Sequence, residues 1–133
     1  MQKIFFSLLA MLVLATTASA QQKDTYPVVV SFNSMCCGVP SNAPVMKLVK
    51  AFKKQYKIKQ VAVDSIGPMG REGEYYFAFR LKEFNKAQKI KFIQQLKNTA
   101  AIMKEQGFAE IKENETVDKA SLSSRAGITL LKL

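Results

Sequence analysis

The chain predicts an α+β domain in which strand, helix, strand, strand, helix and strand follow one another. Two observations predict it: β-branched and aromatic runs with alternating character, and two stretches whose apolar residues recur at three-to-four spacing. A third sets its limits, because the 133 residues open with an apolar run unlike anything after it and close with a short stretch outside the pattern.

The opening run carries Lys3, then apolar residues from Ile4 to Ala15 broken only by Ser7, then Ala18-Ser19-Ala20. A cationic start, a short apolar core and a small-residue end are what a Sec-type bacterial signal peptide requires, so residues 1–20 read as an export signal and the expected location is periplasmic or secreted. No later segment reaches the roughly 20 apolar residues of a membrane-spanning helix, so the mature chain is expected to lack one. Residues 21–133 then form a single domain, with a C-terminal extension from about residue 117. Losing Lys3 lowers the formal charge from +10 to +9.

Residues 26–33 (Tyr-Pro-Val-Val-Val-Ser-Phe-Asn) read as the first strand, followed by a loop with Gly38, Pro40, Ser41 and Pro44. Val45, Leu48, Val49, Phe52 and Tyr56 mark an amphipathic helix with lysines opposite, and Ser41 is placed to cap it. Residues 60–66 give a second strand, 67–73 a Gly- and Pro-rich turn, and 74–81 a third strand with Tyr75, Phe77, Phe79 and Leu81 on one side. These two strands should form a hairpin. Asn85 with Gln88 makes a capping-box start for a second helix, whose expected buried stripe is Ile90, Ile93, Leu96, Ala100 and Met103, with Gly107 as its stop. Residues 108–112 form a weaker strand, and 128–131 a further strand whose partner the sequence does not assign.

This order is that of the ferredoxin-like split βαβ fold, with both helices on one face of an antiparallel sheet. In that topology the first loop, the 67–73 turn and the Gln106-Gly107 turn share one edge. The first loop holds the only two cysteines, the adjacent Cys36 and Cys37, and the chain has no histidine. Met35, Gly38, Met69, Arg71 and Glu72 become their expected surroundings. On the sheet face away from the helices, Ser31, Asn33, Asp64, Tyr76 and Arg80 are expected to project, covered by the C-terminal segment or a second subunit.

With its thiol pair between first strand and first helix, in the run Met35-Cys36-Cys37-Gly38, the chain weakly resembles the heavy-metal-associated domains of soft-metal chaperones and periplasmic mercury-binding proteins. The resemblance runs from about residue 26 to 112 and is mainly topological, since the family spaces its cysteines as Met-x-Cys-x-x-Cys. It implies a thiol pair that holds a soft metal ion, carried here onto Cys36 and Cys37.

The residues themselves allow several roles for that pair. Adjacent Cα atoms lie about 3.8 Å apart, below the roughly 4.4 Å minimum of ordinary disulfides, so a disulfide between them is strained and closes almost no loop. A helix start and Arg71 would favour thiolates, and two thiolates with Met35 or Met69 as a weak third ligand suit Cu(I) or another soft ion. A closed zinc site lacks ligands. Cysteine-hydrolase chemistry lacks its usual histidine base, and Glu72 with Glu74 in a surface turn is a poor glycosidase pair, so these residues speak against an enzyme. The competing reading is a protein-interaction module or homo-oligomer whose cysteines are structural. Lysine-rich helices offer a cationic surface to an anionic partner; nucleic acid is disfavoured by export and by a first strand without a stacking aromatic on the open face.

Overall fold

A computed structural model describes residues 23–122 and 125–133. Residues 1–20, read as the export signal, lie outside the described residues. The elements are β1 (Lys23–Ser34), α1 (Ala43–Tyr56), β2 (Ala62–Gly67), β3 (Tyr75–Phe79), α2 (Lys86–Ala101), β4 (Gly107–Asp118), a short 3-10 helix (Lys119–Ser121) and β5 (Gly127–Lys132). The protein is α+β, with one five-stranded open sheet in the order β4-β1-β3-β2-β5 and two helices. Each neighbouring pair in the sheet is antiparallel. The expected hairpin is β2 with β3, pairing Val63 with Phe79 and Ile66 with Tyr76.

Alternation along the strands sends one set of apolar residues into the main core. Val28, Val30, Phe32, Val63, Phe77 and Phe79 pack there with Val45, Val49 and Phe52 of α1 and Phe92 and Leu96 of α2. Phe92 is the centre of an aromatic cluster, its ring 5.1 Å from Phe52, 5.4 Å from Phe79 and 5.2 Å from Phe84. That cluster corrects the expected stripe of α2: the helix turns Phe92 inward with Leu96 and Ala100 and leaves Ile90 63% exposed. Burying a phenyl ring removes more apolar surface from water than an isoleucine does, and three neighbouring rings already shape the space.

The capping box forms, with the Asn85 side chain accepting from the Gln88 amide and the Gln88 side chain accepting from the Asn85 amide, both at 2.9 Å. At α1 the N-cap is Asn42 rather than Ser41, although the Ser41 hydroxyl accepts from the Ala43 amide at 3.2 Å. Gly107 does not stop α2, which ends at Ala101; it opens β4 opposite Ser34. A Cβ at Gly107 would collide with the Asn33 carbonyl oxygen, so the close approach of two chains explains the glycine. The strand it opens runs to Asp118, far beyond the expected residue 112, and pairs along all of β1. A cross-strand partner of twelve residues overrides the weak propensity of its Glu- and Asn-rich half.

β5 pairs with β2, from Ala62 with Lys132 to Gly67 with Gly127, which supplies the partner the sequence left open. Because β4 and β5 sit at opposite edges, the connection between them must cross four strand spacings, about 19 Å. Residues 119–122 begin that crossing over the sheet face remote from the main core. There Leu122, Met69 and Tyr76 pack against a second apolar cluster of Tyr26, Val29, Ile66, Ala78 and Val117. The C-terminal segment, one of the two covers expected, therefore lies over part of this face, and Ser31 and Asp64 are buried.

Candidate functional site

β1 ends at Ser34, and the loop that follows carries Met35, Cys36 and Cys37, all exposed. Met35 is 67% exposed and belongs to neither apolar cluster. Gly38 adopts φ +121°, a conformation that a side chain makes costly, and this turns the chain immediately after the second thiol. A Cβ there would stand 3.7 Å from the Gln106 side-chain oxygen, so the loop before α1 lies against the turn before β4. The pairing of Ser34 with Gly107 fixes that approach.

The 67–73 turn meets the same edge. Its base is closed by the Met69 amide donating to the Glu74 carbonyl at 2.6 Å, and the negative charge of Glu72 is felt at Cys37. The structure thus brings Cys36, Cys37, Gly38 and Glu72 together. Arg71 is exposed in the same turn. Met69 faces elsewhere, packing with Tyr76 and Leu122 on the second cluster.

Both cysteines are free thiols. The Cys37 thiol is pushed above its ordinary pKa, first by its hydrogen bond with Cys36, then by loss of water contact and by the charge of Glu72. Two conclusions follow. The two adjacent thiols are close enough to affect each other, and Cys37 holds its proton more firmly than the helix start and Arg71 led us to expect. Five residues separate Cys37 from Ala43, the first helical residue, and the charge felt at Cys37 is that of Glu72. Among the described residues no group of three or more His, Cys, Asp or Glu is arranged to hold a metal ion, so any ion at this edge would rest on two sulfurs.

A second polar constellation lies near the other end of β1. The Tyr26 hydroxyl donates to Asp64 Oδ2 at 2.5 Å, and Arg80 Nη2 donates to the same oxygen at 2.7 Å. Tyr26 is 2% and Asp64 1% exposed. Burial, then the bond to Asp64 and its charge, raise the Tyr26 pKa above that of an ordinary tyrosine, and Asp64 likewise strengthens the hold of Arg80 on its proton. Asp24 is held below the usual carboxylate range by its bond to Lys119, at 2.7 Å, which pins the start of the C-terminal connection onto β1.

Sequence reasoning placed Asp64 and Arg80 on one face but missed Tyr26. Tyr26 and Val29 share this face although three residues apart, so the strict alternation breaks at Pro27, which has no amide to donate and stands opposite Asn114 at φ +51°. A single acid inside the apolar run Val61-Ala62-Val63-Asp64-Ser65-Ile66 was the available signal, because a buried carboxylate requires donors.

In comparisons with known proteins, no family model matches this chain, and neither a curated protein nor a solved structure does.

Proposed function

We propose that the protein is a small exported, non-enzymatic binding module of ferredoxin-like architecture, and that its ligand is a soft metal ion such as Cu(I), held by Cys36 and Cys37. The order β4-β1-β3-β2 within the sheet and the single core shared by both helices support the architecture, with β5 as an added edge strand. The Ala18-Ser19-Ala20 ending supports export.

The observation that carries the ligand is the pair of free, exposed thiols on adjacent residues, in a loop beside the turn before β4 and within reach of the charge of Glu72. Two thiolates satisfy a soft monovalent ion without histidine, and both thiols must lose their protons to bind it. The raised pKa of Cys37 makes that loss harder at neutral pH, so affinity should climb as pH rises toward the alkaline side. Competition titration against a chromogenic Cu(I) chelator tests the reading. Reduced protein should take one ion per chain, and Cys36→Ser with Cys37→Ser should remove that binding. Unchanged affinity in the double variant would overturn it.

A second reading, self-association or partner binding without metal, is favoured by the outer edge of β5. There Ile128 and Leu130 are exposed on an edge strand that has no outer neighbour among the described residues. It predicts an oligomeric state that depends on these two residues and is indifferent to the double serine variant.

A further inference from the structure

The charges of this protein are sorted by layer. α1 and α2 together contain eight lysines and no acid, whereas β4 alone contains Glu110, Glu113, Glu115 and Asp118. On α1, Lys47, Lys50 and Lys54 are exposed with Ala51 among them, so the outer stripe of that helix is cationic with a small apolar centre. Among the described residues none of these three lysines forms an ion pair, while Lys97 of α2 is partly neutralised by Glu113.

The same layer exposes apolar surface. Between α1 and the end of α2 runs a groove of about 620 Å³ lined by Pro44, Leu48, Ala51, Thr99 and Ile102, with Lys47 on its rim. Ile102 is 79% exposed, and Ile90 stands out on the other flank of α2 beside Lys86 and Lys89. Glu105 lies in the adjoining hollow beside Ile102 and Met103.

We infer that the outer surface of α1 and α2 docks onto an anionic lipid membrane surface, with the free lysines of α1 at the headgroups and Ile102 with its groove in the boundary beneath them. Charge complementarity selects an anionic surface, since acid-free helices meet no repulsion there. The apolar groove selects lipid among anionic surfaces, because long lysine stems lie along apolar surface while their ammonium heads stay at the headgroups. Single-stranded nucleic acid fits less well: neither helix contains arginine, and the one tyrosine of the layer, Tyr56, lies half-buried with Lys91 Nζ 5.6 Å from its ring centre. This docking is independent of the thiols.

Vesicle sedimentation tests it, using folded protein with phosphatidylcholine vesicles that contain or lack phosphatidylglycerol. Binding should require the anionic lipid. Replacing Lys47, Lys50 and Lys54 by Gln should lower partitioning by about a hundredfold, at about fivefold per lysine, whereas the same change at Lys23, Lys112 and Lys132 should leave it within about threefold. Ile102→Ser, at constant charge, should weaken vesicle binding by about fivefold and leave binding to a single-stranded oligonucleotide unaltered. Equal losses in the two lysine sets would mean that net charge alone is felt and would overturn the docking surface. Binding to neutral vesicles, or oligonucleotide binding tighter than vesicle binding with no effect of Ile102→Ser, would overturn the lipid assignment.

Discussion

The two ends of β1 solve opposite problems. At its start, Tyr26 delivers a hydroxyl into a dry layer where Asp64 receives it and Arg80 completes the group. At its far end, Cys36 and Cys37 are exposed, free thiols. A buried polar group is tolerated only when partnered, so the first cluster is tied to the stability of the sheet. Exposed thiols stabilise little, so their placement where three loops meet is not explained by folding. The contrast separates what holds this molecule together from what it can offer a ligand.

Removing Asp64 should break the first cluster most severely. Asp64→Ala leaves the Tyr26 hydroxyl buried without an acceptor and Arg80 without its counter-charge, and should cost about 3 kcal/mol or more in urea unfolding. A loss below about 1 kcal/mol would mean that water replaces the carboxylate and the layer is wetter than its packing indicates. Tyr26→Phe keeps the ring and removes only the hydroxyl, with an expected loss of about 2 kcal/mol.

Tyr26 also carries a pH signature. Its folded pKa is raised, so the unfolded chain releases this proton first. The stability it contributes is complete below the unfolded value of about 10 and is lost as pH rises through the folded value. Tyr26→Phe should therefore be penalised at pH 8 and show a shallower alkaline decline than the parent, read from chemical unfolding at stepped pH. Parallel alkaline declines in the two proteins would remove Tyr26 as the titrating group.

Much of this fold was legible where pattern and partner agreed. The paired strands β2 and β3, the Asn85 capping box and the meeting of the cysteine loop with the two turns follow from local chemistry plus topology. Three features were not legible for one reason, that a distant partner decided them. The length of β4 is set by β1, the inward turn of Phe92 by Phe52, Phe79 and Phe84, and the burial of Tyr26 by a break at Pro27 that places its hydroxyl against Asp64. At the site, the adjacency of the thiols was visible in the sequence, but the sign of the Cys37 shift was not. It depended first on Cys36 and on loss of water contact, with the charge of Glu72 adding least.

That sign gives the finest test of the exposed end. In Cys36→Ala the hydrogen bond that most raises the Cys37 pKa is gone, and the remaining thiol should ionise at lower pH and be alkylated faster at pH 8. Glu72→Gln removes the weaker electrostatic contribution and should move the Cys37 profile in the same direction by a smaller amount. Iodoacetamide labelling across pH, with Cys36 and Cys37 resolved by fragment mass spectrometry, reads both shifts. Neither variant should change unfolding free energy by more than about 0.5 kcal/mol, because both positions are exposed. A Cys37 profile that stays in place in both variants would mean that the thiols do not act on each other in solution, and it would remove the ground for a two-sulfur site. A profile that shifts with Cys36→Ala but not with Glu72→Gln would keep the pair while detaching the 67–73 turn from it.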